Sequence, residues 1–346
     1  MKKRIISSLL ITAMVITMAA GCGTDTKTDS GTKTETEAGT EEDSGSKDEK
    51  KSLKIAYSIP EMFSTFWAAC IKGFEEQCEE YGYEAVTLDP NGDTELQMSQ
   101  LVNQATTGAD AIVISPIEKD TIGPTVDQIT GQGIPVFCID RKGSGDVTTM
   151  LTTDNYQAGV DMAKQMIEDY GESFNLLIVQ GVLSDQPTID RTAGVEDTIK
   201  EYPGIKLIGD PSAGEYSEEA AMSVVKNYLE SNPDIDVIFL DTDALLKGAY
   251  AAITESGHTG LVGEENHIGL YSVDGEGFVL DMIREGTCDG VYSQYPITLG
   301  ADVVTKIKEY YEGGKLDPEY DYGGDVVSCK NIESFGKDKL WGDLVR

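Results

Sequence analysis

Positive charge, histidine and paired cysteine are all scarce in this chain, and each scarcity closes off a class of function. Lys and Arg number 27 against 61 Asp and Glu, so the 346 residues carry a formal net charge of −34. Without Lys2, Lys3 and Arg4 at the very start, the remainder stands near −37. So acidic a body repels nucleic acid and anionic lipid, and it tolerates a neutral or weakly charged ligand. Two histidines exist, His258 and His267, both in a polar loop region. A Ser-His-Asp triad or a histidine-built metal site has little to work with. Six cysteines are present, without a Cys-x-x-Cys pair. Setting Cys22 aside leaves Cys70, Cys78, Cys138, Cys288 and Cys329, an odd number that cannot form a complete disulfide set. Cys70 and Cys78 are eight positions apart on an expected helix, about 12 Å along its axis, and should not pair with each other. These thiols read as small buried apolar residues.

Long apolar runs are also few. The longest opens the chain: Met1-Lys2-Lys3-Arg4 precedes an apolar stretch from Ile5 to Ala20. A basic start, a short apolar core and small residues at its end make an export signal, too short for a comfortable membrane span. Ala19-Ala20-Gly21-Cys22 resembles a bacterial lipobox, which implies cleavage after residue 21 and lipidation of Cys22. Residues 22–52 are Thr, Ser, Gly, Glu, Asp and Lys with almost nothing apolar. Such a segment cannot bury enough surface to offset its ordering entropy, so it reads as a disordered acidic tether. The expected location is extracytoplasmic, held at the cell membrane by the lipid on Cys22 alone.

The remaining stretch of nearly 300 residues is organised around Ile134-Pro135-Val136-Phe137-Cys138-Ile139-Asp140-Arg141. This short apolar run between turn residues reads as a strand buried on both faces. Strand and helix alternate from Leu53 onward with a unit near 25 to 30 residues, the signature of repeated β-α-β units and a parallel sheet. The pattern restarts near Met150, and the strands are too many for one sheet, so the fold class is α/β with two doubly wound parallel-sheet lobes. One lobe is expected over 53–153 plus 295–327, the other over 154–294 plus 328–346.

Ligands of open parallel sheets sit outside the carboxyl ends of the strands. Polar groups recur at those ends. Asp140 and Arg141 close the fourth strand, one offering acceptor oxygens and the other a rigid fork of donors, which suits a polyol. Asp185 and Arg191 flank the loop and helix after Gln180-Gly181. Tyr216 precedes a helix, and Thr242, Asp243, Asp274 and Gln294 lie at later strand ends. Phe66 and Trp67 stand where the first strand's loop, Ile59 to Phe66, meets an expected helix from Trp67 to Tyr81. Taken singly, an Asp at a strand end is often a helix cap and an aromatic is often core. Their repetition through both lobes points to a site.

These residues, with Thr153-Asp154-Asn155-Tyr156-Gln157-Ala158-Gly159, Asp274-Gly275 and Gln294-Tyr295-Pro296, resemble the periplasmic binding proteins of the ribose- and galactose-binding group, in lipoprotein form. The resemblance covers Leu53 to about Ile332. It implies a type I fold with a three-crossover hinge, aromatics that sandwich a sugar ring, and Asp, Arg and Gln side chains that hold its hydroxyls. Departures exist: Ser64 stands near the place of a loop amide, and Thr242 stands where ribose-type members carry Asn. Asp169 to Ser173 is too short for the calcium loop of galactose-type members, so no metal and no cofactor are expected.

The function implied is capture of a monosaccharide, pentose or hexose, and its delivery by a monomer to an ABC transporter permease. The alternative is a receptor for a sugar-like signal or polyol that docks on the ectodomain of a sensor kinase. An exported sugar hydrolase needs two carboxylates about 5 to 10 Å apart across a bond; Asp140 and Asp274 are the pair available, and each has an Arg or hydroxyl partner in prospect. The anchor is open to direct test. Cys22→Ser should abolish incorporation of a labelled fatty acid and move the protein from the membrane fraction to the soluble one. An unlabelled wild-type protein would rule the lipoprotein out.

Overall fold

Short β-branched and apolar runs closed by Gly, Pro and Asp set the strands, and amphipathic stretches between them set the helices. The computed structural model describes residues 52–62, 64–232, 234–336 and 339–346. The expected leader, Cys22 and the tether up to Lys51 lie outside the described residues.

The chain runs β1 (Lys54–Ser58), α1 (Thr65–Tyr81), β2 (Glu84–Leu88), α2 (Thr94–Thr106), β3 (Ala111–Ile114), α3 (Gly123–Thr130), β4 (Val136–Ile139) and β5 (Thr149–Thr153). It continues through α4 (Asn155–Tyr170), β6 (Asn175–Val179), α5 (Gln186–Ile199), β7 (Lys206–Gly209), α6 (Glu218–Ser231) and β8 (Val237–Leu240). Next come α7 (Leu246–Glu255), β9 (Gly269–Asp274), α8 (Gly277–Glu285) and β10 (Gly290–Ser293). The chain closes with α9 (Pro296–Tyr311), β11 (Glu319–Tyr322), β12 (Asp325–Ser328) and α10 (Trp341–Leu344).

Two six-stranded sheets result, ordered β11-β5-β4-β3-β1-β2 and β12-β10-β9-β8-β6-β7. Every pairing is parallel except β10 with β12. Each sheet with its helices forms a lobe, and in each the strand order reverses beside the first strand, at β1/β3 and β6/β8. Helices therefore cover both faces, which is why the central strands carry apolar residues on both. Ile55, Tyr57, Val113, Phe137 and Ile139 pack on the α1–α9 side. Ala56, Ile112, Ile114 and Cys138 pack on the α2–α3 side. Cys70, Cys78, Cys138 and Cys288 are buried and Cys329 half-buried, all of them unpaired.

Close helix pairs fix each lobe's outer layer. At α1–α9 a Cβ on Gly300 would stand 1.9 Å from the Cys70 carbonyl oxygen. At α4–α5 a Cβ on Gly159 would stand 2.1 Å from the Arg191 carbonyl. Only glycine permits such backbone approach. The second contact matters for function, because it seats the helix that carries Arg191.

The chain passes between the sheets after β5, after β10 and after β11. The last passage differs from the sequence reading, which kept residues through Val327 with the first lobe. β12 pairs antiparallel with β10, so Asp325 to Val327 belong to the second sheet and the passage falls at Gly323-Gly324. A Cβ on Gly324 would stand 2.4 Å from the Tyr292 ring, so the sharp turn there needs glycine. The C-terminal segment also departs from a purely second-lobe assignment. α10 packs on α8, yet the Trp341 ring meets Phe66 of α1 edge-on at a centroid distance of 6.1 Å.

Candidate functional site

All ten residues singled out from the sequence line one cavity of about 250 Å³ between the lobes: Phe66, Trp67, Asp140, Arg141, Asp185, Arg191, Tyr216, Thr242, Asp274 and Gln294. Topology brings them together. Asp140 and Arg141 follow β4, Asp241 and Thr242 follow β8, Asp274 ends β9 and Gln294 follows β10. These are carboxyl ends of neighbouring parallel strands, where backbone amides and side chains converge.

The second-lobe wall is built around Arg191, which is 5% exposed. Burying a guanidinium demands that its donors find acceptors. Its Nε donates to Asn155 Oδ1 at 2.7 Å, and one terminal nitrogen donates to the Asp241 carbonyl at 2.7 Å. The same nitrogen lies 3.5 Å from Asp274 Oδ1. Asp274 is held in turn from both sides. Gln294 donates to its Oδ1 at 2.6 Å and Thr242 to its Oδ2 at 2.6 Å. The Asp274 carbonyl accepts from the Trp341 indole at 2.9 Å. Gln294 reaches the first lobe through its Oε1, which accepts from Thr153 at 2.6 Å. Asp274 has φ +139°, a conformation costly for a residue with a Cβ, and these bonds over-determine it.

Asp140 forms the opposite wall under very different terms. It is 7% exposed, its φ is +63°, and Oδ1 is buried without a hydrogen-bond partner. Burial pushes its carboxyl up to about 6, against the pull of Arg191 and Arg141. A buried acceptor left open costs stability, so such a group marks a place where a ligand donor is wanted.

The aromatic residues stand differently from the sequence expectation. α1 starts at Thr65, with Ser64 as its cap accepting from the Phe66 amide at 3.1 Å. Phe66 thus joins Trp67 in the first helical turn rather than ending the preceding loop. Their rings meet edge-to-face at 5.1 Å on one wall, so they do not face each other across a ligand. The rings on the second-lobe side of the cavity are Tyr216 and Phe278. The Arg141 guanidinium lies between, 5.5 Å from the Trp67 centroid and 5.8 Å from that of Tyr216. Arg141 also pairs with Asp185 of the second lobe at 3.5 Å, and Asp185 accepts from the Tyr216 hydroxyl at 2.6 Å. A second tie crosses between the lobes where Ser64 donates to Glu276 Oε1 at 2.7 Å.

Several lining residues escaped the sequence reading. Asp241 was passed over for its neighbour Thr242. It is 1% exposed, accepts from the Gly181 amide at 3.0 Å, and keeps Oδ1 unpartnered. Burial pushes its carboxyl up to about 6, with Thr188 and the Gly181 amide easing the shift. The run Asp241-Thr242-Asp243 was the available signal, since three polar residues cap a fully apolar strand. Asp243 plays a structural part: it accepts from the Gly275 and Glu276 amides at 2.8 and 2.7 Å and holds the turn after Asp274. Glu276 carried no signal of its own, and Asn155, which stands behind Arg191, was marked only as part of the 153–159 stretch of the resemblance. Among the described residues no group of three or more His, Cys, Asp or Glu is arranged to hold a metal.

Asp140 sets up a stability prediction. Its folded pKa lies above the unfolded value near 4, so the native state holds a proton that the unfolded chain has lost. Stability of the empty protein therefore falls as pH rises from about 4 to 6. Asp140→Asn removes the charge while suiting a left-handed backbone. It should stabilise the empty protein at pH 7.5 by on the order of 2 kcal/mol and flatten part of the pH dependence. Thermal unfolding from pH 5 to 7.5 checks both; an unchanged or lower melting temperature at pH 7.5 would contradict the reading.

Comparison with known proteins agrees with this architecture. The model of the periplasmic binding protein domain matches residues 55–315. The xylitol-binding protein of Mycolicibacterium smegmatis is 27% identical over 260 residues, 73% of this chain and 74% of that protein. The ribose import binding protein of Bacillus subtilis is 25% identical over 268 residues, 77% of this chain and 84% of its own length. Among solved structures, an ABC transporter periplasmic solute binding protein from Actinobacillus succinogenes, with bound D-allose, superposes with a TM-score of 0.76 at 21% identity. That match covers 82% of this chain and all of the other. With a two-sheet fold, a cavity at the strand ends and a family match over most of its length, this chain belongs to the periplasmic binding protein family.

Proposed function

We propose that this protein is a lipid-anchored extracytoplasmic binding protein that captures a single-ring sugar or small polyol between its lobes and delivers it to the permease of an ABC importer. The observation that carries the reading is the make-up of the cavity. Its 250 Å³ is below the range of about 300–1,000 Å³ common for drug-sized ligands, which favours one ring over two. One wall presents a finished Arg191–Asp274–Gln294 network, and the other an unsatisfied Asp140. Hydroxyl groups both donate and accept, so a polyol can meet both walls at once. Relatives named for xylitol and for ribose import fit the same chemistry.

Catalysis is not part of this reading. Both Asp274 oxygens are occupied by Arg191, Gln294 and Thr242, which leaves it poorly placed to shuttle a proton. Binding is instead coupled to motion. A ligand touching both walls binds the closed arrangement better than an open one and shifts the population toward it. Phe66 and Trp67, on one wall, cover a single apolar face of the ring, and the passages near Thr153 and Gln294 form the hinge. The anchor at Cys22 holds the body at the membrane where the permease sits.

A thermal-shift screen with pentoses, hexoses and polyols tests the ligand class, because a molecule that binds only the folded state raises its melting temperature. Arg191→Ala loses a charge-assisted bond and leaves Asp274 poorly paired. It should weaken the best-binding sugar by about 2 to 4 kcal/mol, roughly 30- to 1,000-fold. Titration calorimetry measures this, and wild-type affinity in that variant would overturn the assignment of the second-lobe wall.

A further inference from the structure

Charge at the cavity is unevenly matched. Eight carboxylates line it against three cations. Each cation already has a carboxylate partner at 3.5 Å: Arg141 has Asp185, Arg191 has Asp274, and Lys247 has Glu218. Five carboxylates are left with no cation at ion-pair distance among the described residues. Two of the five are served by the protein's own donors. Asp243 accepts from the Gly275 and Glu276 amides, and Glu276 accepts from Ser64. Glu61 is half-buried at the rim. Asp140 and Asp241 remain, one on each lobe, both buried and each with Oδ1 outside the hydrogen bonds of the described residues, although the Thr188 hydroxyl is near enough to Asp241 to draw its carboxyl down.

We propose that the ligand carries a protonated amino group, making it an amino sugar or an amino-substituted cyclic polyol. This rests on the reading of the cavity as a sugar and polyol site, and narrows it. A neutral hydroxyl can donate to Asp140 or Asp241 but leaves the surplus of negative charge in place. An ammonium group supplies three donors and also offsets the charge, and its hydrogen bonds to carboxylates are roughly twice as strong as neutral ones. Low dielectric in a closed cavity amplifies the difference. Burial pushes the Asp140 and Asp241 carboxyls up to about 6, against the pull of Arg191 on both and of Arg141 on Asp140, and an ammonium group placed between them would add to that pull. By the same inventory, sugar acids and sugar phosphates are rejected, since each lining cation is already paired.

Titration calorimetry at pH 7.0 with matched probes decides the matter. D-glucosamine, D-galactosamine and scyllo-inosamine are compared with D-glucose, D-galactose and scyllo-inositol, and with D-glucuronate. At least one amine should bind about tenfold or more tightly than its neutral parent, with no binding of the uronate. Asp241→Asn should bring that ratio to within about threefold, and melting of the empty variant checks that it is folded. Neutral parents binding as tightly as the amines, or neutral pentoses and polyols binding where no amine does, would overturn the amino-group proposal and leave the sugar-site reading intact. An undiminished ratio in folded Asp241→Asn would remove Asp241 from recognition and overturn the pairing proposed for it. Failure of every amine and every neutral sugar or polyol would overturn both.

Discussion

A guanidinium sealed inside the second lobe organises the site. Arg191 leaves water only because Asn155, the Asp241 carbonyl and Asp274 accept its donors. Those partners come from α4, from the end of β8 and from the end of β9, so one side chain registers three separate elements. Breaking a buried charge cluster from one side is far more costly than the net worth of the intact group. The arrangement is therefore rigid, and the rigidity passes outward. Asp274 carries it to Gln294, and Gln294 carries it to Thr153 at the junction of the lobes.

The two walls divide the work. On the second-lobe side, the hydrogen bonds among Arg191, Asp274, Thr242 and Gln294 are complete before any ligand arrives, so little reorganisation is needed there on binding, while Asp241 keeps one oxygen open. On the first-lobe side, Asp140 is strained, buried and open, and a ligand relieves it. Arg141 joins the two walls through Asp185 and Tyr216, and Ser64 joins them through Glu276. These ties are made entirely by protein side chains. They favour the closed arrangement on their own, and a ligand meeting both walls adds to a bias already present.

Much of this was legible in the sequence. Alternating strand and helix runs with polar caps gave the two sheets, because buried parallel strands must be apolar on both faces and must end where solvent and ligand begin. Ten cavity residues were found from strand-end position and family resemblance together. What the sequence did not reveal is local or long-range geometry. Ser64 caps a helix that starts two residues before the apolar spacing shows, which puts Phe66 beside Trp67 in its first turn and both on a single wall. The final passage at Gly323-Gly324 depends on β12 choosing an antiparallel partner, and a four-residue strand with only its last two residues buried carries little pattern of its own. Asp241 was hidden by its neighbours, since Asp241, Thr242 and Asp243 take three different roles at adjacent positions. Trp341 lies 67 residues beyond its partner Asp274, and no local signal links them.

The central claim is that one small polyhydroxylated molecule touches both walls together. A crystal structure of the protein with the sugar, amino sugar or polyol that most raises its melting temperature tests this most directly. The account predicts the molecule in the cavity, with polar atoms in hydrogen-bond contact with Asp140 on one side and with Arg191 or Asp274 on the other. An ordered ligand elsewhere on the protein, with only water between Asp140 and Arg191, would contradict it.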